Sequence, residues 1–214
     1  MSKKENLMNK EQVKPISEEG PLISASDLRN DLQKRSDIAK ETGCYKWWSP
    51  EDQVKELLLK LCLKFENVKS YLEKKEGLYC IYVGKAMNLN SRIIKKHIMG
   101  SVSGSTLRKT IASVMEYYDN SKVDTNKNFI DHFKVQPIYL KVGDLENFEE
   151  SLINEECGGI KYFRFLNSDS NHHEIAQKVN LPDIIQKARD KAKEKNEVFL
   201  SYNEKKKRKE KLLK

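Results

Sequence analysis

The residues of this chain best suited to chemistry are two tyrosines, an arginine, a histidine and one acidic helix. Tyr45 lies in the aromatic run Cys44-Tyr45-Lys46-Trp47-Trp48, and Tyr82 lies near the end of the run Leu78 to Val83. Both runs read as strands, and antiparallel pairing would set the two phenols face to face. Arg92 and His97 follow on a segment, Asn88 to Ile98, that reads as a helix. A phenol serves as a general base when neighbouring positive charge lowers its pKa from ~10. A guanidinium matches phosphate oxygens two at a time. The plainer reading is that tyrosines on a small sheet are core residues with wet hydroxyls.

The acidic helix is capped by Asp144 and runs from Leu145 to about Glu156. At about 100° per residue, Leu145, Phe148, Leu152 and Ile153 define its inward stripe, and Glu149 falls inside that stripe, roughly 40° from Leu145. Glu146 and Glu150 fall at the edge of the stripe or beyond it. An inward carboxylate must be paired, protonated or metal-bound. Glu149 is therefore either bridged to a core Arg or Lys or a ligand for a divalent cation, and Mg²⁺ binds single carboxylates with most of its water shell intact. Base, phosphate clamp and metal together suffice to hydrolyse a phosphodiester.

Other phosphate motifs are weaker. Val83-Gly84-Lys85-Ala86 lacks the hydroxyl that should follow a P-loop lysine, and Tyr79 stands where the leading glycine should be. The loop Gly100 to Ser105 opens a helix; its N–H groups either meet a phosphate or form an ordinary cap. Asn171-His172-His173 either lines the cleft or is a solvated loop.

The elements that must position these residues read as follows. Residues 1 to about 25 read as a disordered leader. A short helix starts at Ser26 or Asp27 and is ended by Gly43. Val54, Leu57, Leu58, Leu61, Cys62 and Phe65 predict an amphipathic helix from Glu51 to Phe65. Thr106 caps a helix bearing Leu107, Ile111, Val114, Met115 and Tyr118, and a polar connector, Asp119 to Asn128, follows. Lys134 to Val142 is a strand whose Pro137 suggests an edge. Tyr162 to Leu166 reads as a last short strand, and Leu181 to Leu200 as a helix with Pro182 in its first turn. Three units result: an extension over 1–34, a central domain over 35–175 with a helical insert at 51–76, and a basic helix and tail over 176–214. The fold class is α+β.

Composition narrows the setting. The chain has 214 residues, 38% hydrophobic and 34% charged, with a net charge of +8. Its longest apolar runs are far short of the ~20 residues a membrane-spanning helix needs, and the first residues lack a secretory apolar core. Cysteines 44, 62, 80 and 157 are too widely spaced for a C-x-x-C zinc site. These features predict a soluble protein of a reducing, cytoplasmic compartment. From Gln186 to Lys214 there are 12 Lys/Arg against 5 Asp/Glu, so this segment carries +7 of the +8. A basic tail on a near-neutral body points to a polyanionic partner or to a merely solvated helix.

In order, these residues resemble the GIY-YIG endonuclease superfamily. Gly43-Cys44-Tyr45 resembles the first element and Tyr82-Val83-Gly84 the second, continued as Lys85-Ala86-Met87-Asn88-Leu89-Asn90-Ser91-Arg92, similar to the family's Y-I-G-K-x-x-N-L-x-x-R. Glu149-Glu150-Ser151-Leu152-Ile153 matches E-x-x-L-I, Phe165-Leu166-Asn167 resembles the late P-x-L-N segment, and Ser105-Thr106-Leu107-Arg108-Lys109 is similar to a segment of some bacterial members. The resemblance, over roughly residues 36 to 173, implies a three-stranded antiparallel sheet flanked by helices and metal-dependent cleavage of DNA, with RNA left open. It implies that Tyr45 and Tyr82 position or deprotonate the attacking water, Arg92 clamps the phosphate, Glu149 binds Mg²⁺ or Mn²⁺ and Asn167 stabilises the site, with His97 alongside and Lys85 and Arg108 on the substrate. A non-catalytic nucleic-acid-binding protein on the same scaffold is the alternative, and a protein-binding accessory factor a third reading. Four departures stand out. A helical insert separates the two tyrosine strands. Cys44 and Val83 replace isoleucines, and Arg164 replaces the late proline. His97 comes five residues after Arg92 where the family has four, which on an α-helix turns it roughly 140° away.

Overall fold

The computed structural model describes residues 15–117, 129–167 and 171–212. Tyr118, the connector expected at 119–128 and the first 14 residues of the expected leader lie outside the described residues.

Strand β3 (Gly43–Ser49) organises the molecule because every one of its residues is buried. Its pleat sends Tyr45 and Trp47 to one layer and Cys44 and Trp48 to the other. On one side it pairs antiparallel with β5 (Leu78–Ala86), placing Tyr45 opposite Gly84 and Trp47 opposite Tyr82. A bulge follows, because Trp48 pairs with Cys80 and Ile81 is extra. On its other side β3 pairs antiparallel with β6 (Lys134–Val142). The two tyrosine strands and the late strand expected from the sequence are thus the heart of the sheet.

The sheet has six strands rather than three. β1 (Ile16–Glu19) and β2 (Ile23–Ser24) line the outer side of β6, and β4 (Lys74–Lys75) pairs with the start of β5. β1 comes from the segment that reads as leader. Its residues are all exposed, so it shows no inward periodicity, and backbone pairing is what holds it. Pro137 is accordingly not at an edge. It faces the break between β1 and β2, where Gly20 donates to its carbonyl at 2.8 Å. The place without an N–H is the place where the covering strand is interrupted.

Helices pack on both layers. Over the Tyr45 face lie α1 (Ala25–Asn30), α2 (Glu51–Lys60), α3 (Phe65–Val68), a π-helix (Ser91–Ile98), α4 (Thr106–Val114), α6 (Glu174–Lys178) and α7 (Leu181–Lys195). On the opposite face α5 (Leu145–Ile153) buries Phe148 and Ile153 against Cys44, Trp48, Cys80, Val83 and Ile138. α8 (Tyr202–Leu212) follows a short turn at Glu197–Phe199.

Several boundaries differ from expectation for local reasons. Ser24, not Ser26 or Asp27, caps α1, and Ser105, not Thr106, caps α4. The helix expected over 51–65 ends at Lys60 because Cys62 takes a left-handed φ of 59° before α3 begins. Residues 162–166 form no strand. The hairpin Glu156–Cys157/Ile160–Lys161 turns at Gly158-Gly159, and Leu166 makes a lone bond to the carbonyl of Ile81 at 3.1 Å. α7 stops at Lys195 instead of Leu200. Residues from 176 onward contribute Ala176, Leu181 and Ile185 to the main core.

The insert is part of that core as well, through Val54, Leu57, Leu58, Leu61, Phe65, Val68 and Leu72. On the α5 layer a buried ion network fastens it. Lys46 bonds Glu73 at 3.0 Å and Glu155 at 2.7 Å, and Arg164, with no exposed surface, bonds the same two carboxylates. Arg164 stands where the resembling family has proline, and here it closes a two-plus-two charge cluster.

Candidate active site

The site begins with a glycine. Gly84 ends the buried part of β5 opposite Tyr45, and a Cβ there would collide with the Tyr45 hydroxyl. Lacking one, the strand lets the phenol ring lie across it, so Tyr45 is fully buried with its oxygen over Gly84. The Tyr82 ring is 6.4 Å away, and Tyr82 retains 8% exposure.

Past β5 the chain turns into the π-helix. Asn88 Oδ1 accepts from Ser91 N–H at 2.8 Å, and Asn90 ties the start of the helix to the carbonyls of Arg35 and Ile38. Ile93, Ile94, His97 and Ile98 form its buried face. The winding decides where His97 goes. In an α-helix a residue five positions on faces away, whereas a π turn closes between residues five apart. One such bond runs from Met99 N–H to the carbonyl of Ile94 at 2.8 Å. Arg92 and His97 therefore share a face. Arg92 Nε donates to Tyr45 Oη at 3.3 Å, and His97 Nε2 lies 2.7 Å from the same oxygen. The extra residue that sets this chain apart from the family spacing is taken up by the wider helix.

From sequence the loop Gly100 to Ser105 reads as a phosphate cradle or a cap, and its contribution to the histidine does not show. Ser105 Oγ lies 2.6 Å from His97 Nδ1 while accepting the N–H of Arg108 at 3.2 Å as the cap of α4. The signal was present as a serine opening a helix eight residues after the histidine. Arg108, expected on the substrate, is only 4% exposed, and its guanidinium donates to the carbonyl of Gly100. It braces this loop.

Electrostatics follow from burial. Burial raises the Tyr45 phenol well above 10, Tyr82 adds to the rise, and Arg92 opposes it. Burial likewise pushes His97 well below 6.5, assisted by Arg92 and Arg108, so its imidazole is neutral near pH 7. Arg92 is raised despite burial, chiefly by Tyr45, and stays charged.

Asn167 lies at the outer edge of β5. Its Oδ1 accepts from Val83 N–H at 2.8 Å and its Nδ2 donates to Val83 carbonyl at 2.7 Å. A single side chain thus stands in for a neighbouring strand and fixes the segment that carries Tyr82 and Gly84. Asn171 and His173, which read as a cleft lining or a solvated loop, are instead buried. Asn171 donates to the Arg164 carbonyl, and His173 caps α6 between Tyr71 and Phe163. His172 is the exposed member of the trio.

Glu149 is not drawn into the phenol cluster. α5 lies on the layer opposite Tyr45, and the Glu149 carboxylate bonds Lys85 at 2.7 Å, with Glu146 on the same lysine. Lys85, also expected on the substrate, is committed to these two acids. The acid is still close in one sense. Tyr45 Oη overlies Gly84 and Glu149 is held by the next residue along β5, on the other face, and its charge acts to raise the proton affinity of both Tyr45 and Arg92. Among the described residues no group of three or more His, Cys, Asp or Glu side chains is placed to hold a metal. A single carboxylate with 19% side-chain exposure fits Mg²⁺ or Mn²⁺ only where water and a substrate phosphate fill the remaining positions.

The four cysteines are unpaired, and no described helix is long and apolar enough to cross a membrane. Neither a curated protein nor a solved structure matches the chain. A family model described as the GIY-YIG catalytic domain matches residues 43–191, from the first residue of β3 into α7, and encloses every residue of the cluster. By that match the chain belongs to the GIY-YIG catalytic domain family, a family of nucleases.

Proposed function

We propose that the protein is a divalent-metal-dependent endonuclease that hydrolyses phosphodiester bonds in cytoplasmic DNA. The observation that carries this reading is the Tyr45 oxygen, buried over Gly84, bonded to Arg92 and His97 and flanked by Tyr82. Hydrolysis requires a water whose proton is drawn off and a phosphate whose charge is held. Tyr45, assisted by Tyr82, orients that water and, once its own hydroxyl proton has passed to solvent, takes the water's proton as the phenolate, which Arg92 stabilises. Arg92 engages Tyr45 through Nε, and its two terminal nitrogens, unbonded among the described residues, suit two phosphate oxygens at once. Asn167 keeps the Tyr82 segment in register. Glu149 would hold the cation, which when bound offsets charge on the phosphate and leaving oxygen. In the free protein Lys85 neutralises that carboxylate.

A second reading, a nucleic-acid-binding protein without catalysis, draws on one observation: Glu149 is engaged with Lys85 on the layer opposite the phenols. The two readings differ in metal dependence. The test is incubation with DNA and Mg²⁺ or Mn²⁺. Strand breaks that vanish with chelator support the nuclease, whereas salt-sensitive binding with no product supports the binder.

A further inference from the structure

We propose that Ser105 is a positioning residue for the phenol: its hydroxyl donates to Nδ1 of His97, holds the imidazole in the Nε2–H form, and so gives Tyr45 a second N–H donor beside Arg92. The proposal rests on the nuclease reading for its catalytic consequence, but not for its geometry.

The hydrogens of this network can be counted. The chain Tyr45–His97–Ser105 is bounded at both ends by donors, Arg92 Nε–H on the phenol oxygen and the Arg108 backbone N–H on Ser105 Oγ. Between these ends lie two short hydrogen bonds, at 2.7 and 2.6 Å, and each takes one hydrogen. Neutral tyrosine, neutral histidine and serine together bring three. One hydroxyl hydrogen is therefore left over in either tautomer.

If His97 carried its proton on Nδ1, the surplus hydrogen would be that of Ser105. Ser105 has no exposed surface and lies at the cap of α4, where a buried donor without an acceptor is costly. If His97 carries it on Nε2, the surplus is the Tyr45 hydroxyl hydrogen, which is buried as well but is the one hydrogen of the network that the phenol gives up when it ionises, and Ser105 is fully used as both donor and acceptor. The second arrangement has a further property. Ionisation of Tyr45, releasing one proton to solvent, leaves each of the two short bonds with one hydrogen and the phenolate with two N–H donors. The network is complete in the form that accepts a proton from water.

The surroundings fit a held imidazole. Tyr82, Arg92 and Glu149 act on Tyr45, and Arg92 and Arg108 act on His97, whose burial also disfavours a charged ring. The loop carrying Ser105 is fastened by Arg108 on the Gly100 carbonyl and by Val102 packed on Ala192 and Phe199 of the C-terminal segment.

The test uses the full chain and three variants. Ser105→Ala removes cap and donor, Ser105→Asp keeps a good cap but cannot donate, and Ser105→Thr keeps both. The first readout, independent of activity, is the ring-nitrogen spectrum of ¹⁵N-labelled protein near neutral pH, with His97 assigned by the signal that disappears in His97→Gln. The Nε2–H tautomer is expected in wild type and Ser105→Thr, and the Nδ1–H tautomer in Ser105→Asp. The second is plasmid cleavage with Mg²⁺ or Mn²⁺. kcat is expected to fall about tenfold in Ser105→Ala and Ser105→Asp, the effect of one hydrogen bond to a charged group, with KM unchanged and Ser105→Thr restored. An Nδ1–H tautomer in wild type, an unchanged tautomer in Ser105→Asp, or no restoration by threonine would overturn the role of Ser105. A wild type that cuts nothing while showing the expected tautomers would instead overturn the nuclease reading and leave the hydrogen-bond assignment standing.

Discussion

At the scale of single residues, the site turns on what is missing at Gly84 and what is present on the Tyr45 oxygen. Replacing Tyr45 by Phe keeps the ring over Gly84 but leaves the His97 and Arg92 donors without their acceptor. That costs about 1–3 kcal/mol of stability by thermal unfolding, while cleavage should fall by roughly 10²- to 10⁴-fold, the span of a general base. A Tyr45→Phe protein that cuts at the wild-type rate would remove the phenol from the mechanism. The identities of these residues were legible in the sequence because the Y-x-G and E-x-x-L-I spacings are local. What was not legible is which side chains meet. Glu149 reads as inward from its wheel position, yet inward on α5 means toward the layer of Cys44 and Lys85, since only the pleat of β3 and β5 decides which layer that is. Arg108 is expected on the substrate by the family resemblance, because a helix seen alone gives no sign that a neighbouring carbonyl will claim it.

At the scale of elements, the π-helix is the device that reconciles this chain with its family. A fourth residue between Arg92 and His97, where the family spacing leaves three, would ruin an α-helical site, and here it is absorbed by the turn that closes from Met99 to Ile94. Deleting exposed Lys96 should therefore allow an ordinary α turn, preserving the fold and the His97–Tyr45 hydrogen bond, whereas inserting an alanine at that place should abolish activity. Circular dichroism and cleavage of both variants check this, and a deletion that unfolds the protein would show that the wide turn is required for packing. Sequence periodicity could not predict the winding, because the same apolar positions fit an α-helix one residue shorter. The tail is the second case. Ser201 and Glu204 cap α8 reciprocally, and Glu204 also bonds Lys193 at 2.9 Å. These interactions, led by the Ser201 hydrogen bonds, lower Glu204 from 4.5 to about 2. A depressed carboxylate contributes stability above its unfolded pKa and loses it as pH falls through the folded one. α8 should therefore loosen between about pH 4.5 and pH 2, and in Glu204→Gln be loose across that whole range, as read by proteolytic trimming of the C-terminus. Trimming that does not change across that range would contradict the docking.

For the whole molecule, the sheet joins parts that the sequence scatters. The Lys46–Glu73–Glu155–Arg164 network ties β3 to the insert and to the segment before Asn167, and its removal should be felt globally. Lys46→Ala leaves two acids facing one arginine, and the cost should lie toward or below the low end of the about 3–5 kcal/mol expected for a broken buried pair, because Glu155 is partly solvated. An unchanged melting temperature would show that the network is replaceable. The six-stranded sheet was only half legible in advance: β3, β5 and β6 announce themselves by aromatic and apolar content, while β1 is four exposed residues that only a partner strand makes into structure. Charge is similarly global. Removing residues 203–214 should flatten the dependence of DNA affinity on salt, by about 0.9 in the log–log slope for each phosphate that the tail no longer neutralises. Titrations at two salt concentrations would detect it, and an unchanged slope would make α8 a structural helix alone. The most direct measurement is nicking of supercoiled plasmid by purified protein with Mg²⁺ or Mn²⁺, wild type beside Glu149→Gln. Wild type is expected to give metal-dependent nicks and the variant none, with folding and DNA binding retained; equal nicking by both, or none by either, would overturn the nuclease reading.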